Sequence, residues 1–165
     1  MRAEPDSLST PLGPPLARPL TRVAATLIDS CVFIPIVAIV FSRTGVSGHQ
    51  NVPVSVYNTS ILIVYGVELA YQWLLIGRLG QTLGDMAVGV KVVGQSDLAP
   101  PGFLLAAQRI AVIALAGVVP SVGPLLVLVC YLWMFWDPRR QGLHDKVART
   151  LVIDLRPERR GRPVR

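Results

Sequence analysis

Two long apolar runs constrain the fold of this chain more than any other feature of its sequence. Residues 23–41 are apolar except for Thr26, Asp29 and Ser30, and residues 57–77 form a second run of similar length. A helix needs about 20 consecutive apolar residues to cross the hydrocarbon core of a bilayer. Only 16% of the residues are charged, against about 25% in an ordinary soluble domain. The two runs are therefore predicted to be membrane spans.

A third apolar region, residues 103–136, is too long for a single span. As one helix it would extend about 50 Å, whereas the hydrocarbon core is about 30 Å thick. The stretch from Pro120 to Pro124 has strong turn chemistry and divides the region into residues 103–119 and 122–137. Both pieces are short, so the pattern fits either two full spans or a re-entrant hairpin.

The distribution of charge predicts which ends of the spans face the cytoplasm. Arg18 and Arg22 precede the first run and Arg78 follows the second, whereas the loop at residues 44–53 has no formal charge. Arginine and lysine are enriched in cytoplasmic loops. We therefore expect a multi-pass protein of the cell (inner) membrane, with both termini in the cytoplasm.

Two short β-strands are predicted on the cytoplasmic side. Val88, Val90 and Val92 alternate with a glycine and a lysine, which is the period of a strand, and residues 150–155 form a second candidate. The glycine-rich residues 80–84 lack the Gly-Lys-Ser/Thr ending of a nucleotide-binding loop. The predicted fold class is an all-α membrane protein with four transmembrane helices and a small cytoplasmic β-ribbon, the last two helices being a short or re-entrant hairpin in one alternative.

Charge and composition divide the chain into three parts. Residues 1–17 are rich in proline and are predicted to be a disordered tail, residues 18–155 a transmembrane domain, and residues 156–165 a basic C-terminal tail. The net charge of +6 comes mostly from the C-terminal part, after the last apolar run. That position favours a lipid bilayer with anionic headgroups as the partner over nucleic acid.

Three ionisable residues interrupt the apolar runs: Asp29, Glu68 and Arg109. A charge in lipid costs about 2.5–3.5 kcal/mol on insertion scales, so such residues are usually paired or functional. Asp29 and Arg109 lie at similar depths from the cytoplasmic side, which predicts an ion pair between them. The pair would either lock two helices together or take part in function.

Glu68 lies near the middle of its span, with no cation at a matching depth in its own helix. Its carboxyl could be kept protonated by desolvation, or it could accept a proton or cation during transport. Asp145 follows the last apolar region and is either a solvated acid or a group with a capping or gating role. The predicted functional polar cluster comprises Arg22, Asp29, Glu68, Arg109 and Asp145.

The remaining reactive residue types predict no cofactor, no metal site and no enzyme. Cys31 and Cys130 both lie in apolar runs, where cysteine packs as a small hydrophobic residue. His49 and His144 are too few for a histidine-based metal site. No nucleophile accompanies the histidine beside Asp145, so a catalytic arrangement is not indicated.

Taken together, these motifs resemble the RDD family of small bacterial integral membrane proteins. The resemblance lies in Arg22-x6-Asp29 at the start of the first span, the glycine-rich residues 80–84 before a strand, Arg109 in a later span, and residues 142–146 with the sequence Gly-Leu-His-Asp-Lys. It covers roughly residues 18–155. The order and spacing of four motifs make the resemblance fairly specific.

The RDD family is named after an arginine and two aspartates, which correspond here to Arg22, Asp29 and Asp145. This chain departs from the family at Asp85, where lysine is common, so a contact that depends on that lysine is in doubt. The resemblance implies the fold more strongly than the activity, for which a part in transport has been suggested.

Two functions of different classes follow from the sequence. The first is transport of ions, protons or small ligands through intramembrane carboxylates. Four short spans leave little room for a pathway within one chain, which favours a homo-oligomer or a membrane-protein partner. The alternative is a membrane scaffold or assembly protein that binds a partner protein or anionic lipid through its basic tail.

Overall fold

The computed structural model describes residues 14–45, 52–119 and 121–156. Within these ranges the chain forms six α-helices and two β-strands. In chain order they are α1 (Pro19–Arg43), α2 (Val54–Leu79), α3 (Leu83–Val88), β1 (Val90–Gly94), α4 (Gly102–Gly117), α5 (Gly123–Leu132), α6 (Leu143–Val147) and β2 (Thr150–Asp154), with a 3₁₀ turn at Trp133–Phe135 after α5. The order helix, helix, short helix, strand thus occurs twice.

The two predicted runs lie within α1 and α2, which are longer than the apolar residues alone indicated. α1 has 25 residues and starts with Pro19, a residue favoured in the first turn of a helix. α2 has 26 residues and is followed by Gly80, which adopts a left-handed conformation. Both helices are long and apolar enough to cross a membrane.

The region of residues 103–136 is broken into two helices, as its turn chemistry predicted. α4 has 16 residues and α5 has 10, fewer than the roughly 20 residues of a full bilayer crossing. Pro120 lies outside the described residues. Among the described helices, only α1 and α2 meet the length of a membrane span.

The predicted β-ribbon is present as an antiparallel pair of β1 and β2, with Val92 opposite Val152. Val88 was predicted to lie in the first strand, but it is the last residue of α3. Gly89 ends α3 with a φ of 73°, a conformation that glycine adopts without steric cost. The alternation of valines therefore placed the start of the strand two residues too early, because β1 begins at Val90.

Residues 15–17 were predicted to belong to a disordered tail, but they pack along β2. The amide of Ala17 donates to the carbonyl of Val152 at 2.8 Å, and the amide of Asp154 donates to the carbonyl of Pro15 at 2.8 Å. Ala17 is fully buried beside the ribbon. An exposed strand edge has unpaired backbone groups, and this segment satisfies part of that edge. Residues 1–13 and 157–165, most of the two predicted tails, lie outside the described residues.

The units α3–β1 and α6–β2 are two copies of one motif. The side-chain amide of Gln81, just before α3, donates to the carbonyl of Val90 at 2.8 Å. Gln141, just before α6, donates to the carbonyl of Thr150 at the same distance. Val90 and Thr150 are the first residues of β1 and β2. Each glutamine therefore holds its short helix against the start of the following strand.

An aspartate occupies the same position in both short helices. Asp85 accepts from the amide of Thr82 at 3.1 Å, and Asp145 accepts from the amide of Gly142 at 2.8 Å. The same number of residues separates Asp85 from Asp145 as separates Gln81 from Gln141. The antiparallel ribbon relates the two motifs by an approximate two-fold rotation, so each half of the chain contributes one equivalent unit.

Candidate functional site

The carboxyl group of Asp145 joins two arginines that come from different helices. Arg22 of α1 donates from Nη2 to Oδ2 at 2.7 Å, and Arg109 of α4 forms an ion pair with Oδ1. Asp145 is fully buried, and both arginines are less than a tenth exposed. Buried charges are tolerated when they are paired and hydrogen-bonded. The triad Arg22–Asp145–Arg109 therefore ties α1, α4 and α6 together.

Local structure around α6 fixes the position of Asp145. Its Oδ2 also accepts from the amide of Gly142, and the Thr150 hydroxyl lies 3.4 Å from Oδ1. A Cβ at Gly142 would come within 2.8 Å of the carbonyl oxygen of Cys130 and 2.6 Å of the His144 ring. Glycine is therefore needed where the chain turns from α5 into α6.

Asp29, the aspartate of the Arg22-x6-Asp29 pattern, accepts three hydrogen bonds. The Tyr71 hydroxyl donates to Oδ1 at 2.8 Å, the Thr82 hydroxyl donates to Oδ2 at 2.6 Å, and the amide of Gly84 donates to Oδ1 at 2.7 Å. Hydrogen bonds to a carboxylate are roughly twice as strong as neutral ones. Asp29 thus fastens α1 to α2 and to the start of α3.

The predicted ion pair between Asp29 and Arg109 is wrong. Arg109 is paired with Asp145, while Asp29 faces α2 and α3. Similar depth along two helices is a condition for contact, but it does not specify which helix faces which. The structure therefore brings Arg22, Arg109 and Asp145 together, with Asp29 in a separate set of hydrogen bonds.

Asp85 stands near the two arginines without contacting them within ion-pair distance. It forms a capping box with Thr82, whose hydroxyl accepts from the Asp85 amide at 3.1 Å. Burial raises the pKa of the Asp85 carboxyl, and hydrogen bonds from Thr82 and the charge of Arg109 oppose that shift. Asp85 therefore adds a carboxyl group beside the triad.

A cavity of about 890 Å³ lies between α1, α2 and α5, and Arg22, Asp29 and Arg109 line it. Glu68 of α2 faces this cavity and is half-buried. Among the described side chains, its hydrogen-bond partner is Gln72, whose Nε2 lies 3.4 Å from Oε1. Glu68 is therefore the member of the predicted polar cluster that remains open to a ligand or a proton.

His144 is fully buried beside the triad, and neither ring nitrogen has a hydrogen-bond partner among the described residues. Its ring lies 4.8 Å from that of Tyr131. Burial lowers the pKa of His144 well below its usual value, and the charges of Arg109 and Arg22 lower it further. The imidazole is consequently neutral at physiological pH.

The unfolding free energy is expected to fall as the pH drops below about 6.5, where the unfolded chain binds a proton that folded His144 does not. The loss should approach about 1.4 kcal/mol per pH unit. His144→Gln removes this dependence between pH 6.5 and 5, whereas His49→Gln, which changes the chain's other histidine, leaves it in place. Detergent-solubilised protein unfolded at several pH values provides the measurement, and an unchanged slope in His144→Gln contradicts the prediction.

Several residues of this site were not identified from the sequence. Thr82 and Tyr71 bind Asp29, and His144 packs against the triad. Thr82 followed by Asp85 has the spacing of a capping box, which could have revealed α3. Tyr71 carried no comparable signal, because its role depends on how α1 and α2 face each other.

The comparisons with known proteins agree with the resemblance read from the sequence. The sequence model described as the RDD family matches residues 16–149, which is most of the chain. That range contains the triad, Asp29 and Glu68. No curated protein and no solved structure gives a match.

Proposed function

Because this chain belongs to the RDD family, we propose that it is a multi-pass membrane protein that carries protons or other cations through the cavity beside Glu68. The observation that supports this proposal is the position of Glu68, an acid that faces a cavity of about 890 Å³ with Gln72 as its side-chain partner. Intramembrane carboxylates commonly mark ion pathways and proton relays. The transport hypothesis drawn from the sequence is thus kept, with Glu68 as its central residue.

The charges around the cavity favour a cation over an anion. Asp29, Glu68 and Asp85 line it, as do Arg22 and Arg109. Both arginines are engaged by the carboxyl group of Asp145. Counting Asp145, four carboxyl groups face two arginines. A positive charge entering this space gains attraction to the acids, whereas an anion has to compete with Asp145.

In the proposed arrangement, four helices cross the membrane and the ribbon lies in the cytoplasm. α1 and α2 cross fully, and α4 and α5 form a shorter hairpin whose ends require local thinning of the bilayer. Arg18 precedes α1 and Arg78 lies in the last turn of α2, which supports cytoplasmic termini. The exposed apolar faces of the helices meet lipid, or a second copy of the chain in a homo-oligomer.

Asp29 and Glu68 have different tasks in this proposal. Asp29 is held by three donors and positions α3 under the cavity. Glu68 takes up the proton or cation, because its carboxyl accepts one hydrogen bond from the described residues, whereas that of Asp29 accepts three. The triad lies at the cytoplasmic end of the proposed path, since Arg22 and Arg109 line the cavity.

Protein reconstituted in liposomes with a pH-sensitive dye tests the proposal. Wild-type protein is expected to dissipate an imposed pH gradient faster than empty liposomes, and Glu68→Gln is expected to slow that flux by at least about tenfold because a neutral amide cannot exchange a proton. Asp97→Asn is the matched control, since Asp97 is an exposed acid outside the cavity.

Flux equal to that of empty liposomes, both under an imposed pH gradient and under an imposed Na⁺ or K⁺ gradient, contradicts the transport proposal, as does equal flux in Glu68→Gln and wild type. Binding of a partner at fixed stoichiometry in native membranes would then favour the scaffold alternative, whose support is the basic C-terminal sequence.

A further inference from the structure

The cavity occurs at one of two equivalent helix interfaces. α1 and α4 are the first helices of the two halves, and α2 and α5 are the second. α4 packs closely along α2: Trp73 donates to the carbonyl of Phe103 at 3.0 Å, and their rings lie 5.3 Å apart. The equivalent interface, between α5 and α1, is opened by the cavity. The opening is therefore specific to one of the two interfaces.

The walls of this cavity differ along its length. Near the triad, the acids Glu68 and Asp29 lie among aromatic rings from three helices, namely Phe33, Tyr71 and Tyr131. Phe33 and Tyr71 meet edge to face, with centroids 5.1 Å apart. Aromatic faces attract cations, and such rings beside a carboxylate are the usual environment of bound organic ammonium groups.

The part of the cavity farther from the triad is apolar. It is lined by Ile34 and Val37 of α1 and by Val127 and Leu128 of α5, and it is open at Ile34 and Leu128, which are more than half exposed. The volume of about 890 Å³ lies within the range of small-molecule sites, and it greatly exceeds the roughly 30 Å³ that one water molecule occupies in the liquid. A bare ion or proton makes no use of that apolar volume.

We propose that this cavity binds an organic cation with a single positive charge and an apolar body. The charge sits beside Glu68 and the aromatic rings, and the apolar body extends between α1 and α5. The inference rests on the proposed function, because it names the class of substrate for the same site. An anion of the same shape is excluded because Glu68 repels it and Asp145 already binds both arginines.

Equilibrium binding of radiolabelled tetraphenylphosphonium to the full chain in lipid nanodiscs tests this inference. Saturable binding above that of empty nanodiscs is expected. Tetraphenylborate, which has nearly the same shape and the opposite charge, is measured in a separate titration and should show no saturable binding. Glu68→Gln is expected to weaken binding by at least about tenfold, whereas Asp97→Asn leaves it within about twofold.

A second pair of variants tests the aromatic contribution. Phe33→Leu removes a ring that lines the cavity and is expected to weaken binding about threefold or more. Phe41→Leu changes a phenylalanine of the same helix that packs against Tyr57 away from the cavity, and it should leave the affinity unchanged.

The outcomes separate this inference from the proposed function. Equal binding of the two probes, or wild-type affinity in a correctly folded Glu68→Gln protein, overturns the inference. If Glu68→Gln fails to fold, the comparison of the two probes on wild-type protein still decides. Proton flux without tetraphenylphosphonium binding removes the substrate class alone, whereas binding without any flux removes the transport proposal and keeps the site.

Discussion

Replacing Asp145 with alanine is expected to destabilise the protein by about 3–5 kcal/mol, because it leaves two buried arginines without a counter-charge. Arg22 and Arg109 both contact this carboxyl group, and each is less than a tenth exposed. A loss of this size is a large part of the free energy of unfolding of many domains, which is about 5–15 kcal/mol. The expected readout is a sharp fall in the yield of monodisperse protein and in the midpoint of denaturation by SDS in mixed micelles.

A matched control is available in Asp154, which pairs with Arg156 at 2.6 Å near the surface. Arg156 is 53% exposed, and exposed ion pairs typically contribute only about 0–1 kcal/mol. Asp154→Ala should therefore lower the midpoint only slightly. Equal effects of the two alanine variants would show that the triad does not fasten α1, α4 and α6 together.

Replacing an arginine together with Asp145 separates pairing from packing. Arg22→Met alone should be destabilising, since Asp145 loses one partner. In Arg22→Met with Asp145→Asn, one arginine is left without a counter-charge, against two in Asp145→Asn alone. The double variant should therefore be more stable than the sum of the single effects predicts. Strict additivity would mean that the two residues do not act as a pair.

Elements that follow from the local sequence were predicted well. The apolar runs located α1 and α2, and the turn chemistry before residue 124 separated α4 from α5. The strands β1 and β2 were both recognised from their residue types. These features depend on neighbouring residues in the chain, which a single sequence displays directly.

Features that depend on how helices face one another were predicted less well. Arg22, Arg109 and Asp145 were recognised as members of a polar cluster, but Arg109 was assigned to the wrong aspartate. Rotation of α4 about its axis decides between Asp29 and Asp145, and depth along the helix carries no information on that rotation.

The repeated motif was open to recognition from the sequence. Gln81-x-Leu83-x-Asp85 recurs as Gln141-x-Leu143-x-Asp145, each followed by a valine-containing strand. Recognising it would have predicted both short helices, and with them the burial of Asp145. The motif is short, so its significance becomes clear only when both copies make the same hydrogen bonds.

Replacing Gly84 with alanine is expected to destabilise the protein strongly, although it adds only one methyl group, because Gly84 packs against α1 beside Asp29. A Cβ at Gly84 would overlap the carbonyl oxygen of Ala25 and come within 2.8 Å of the Asp29 carboxyl group. The backbone of α1 cannot move aside cheaply. Overpacking alone typically costs about 1–3 kcal/mol, and separating α3 from α1 would also weaken the hydrogen bond from the Gly84 amide to Asp29.

Gly66→Ala is the matched control for this variant, because a Cβ at Gly66, inside α2, meets no atom within 4 Å. Alanine is favoured over glycine inside a helix by about 1 kcal/mol, so Gly66→Ala should keep or raise the denaturation midpoint while Gly84→Ala lowers it. Thr82→Val, which removes a hydroxyl that donates to Asp29, should produce a smaller loss in the same direction. If Gly84→Ala matches Gly66→Ala, the close contact between α1 and α3 is not what holds Asp29 in place.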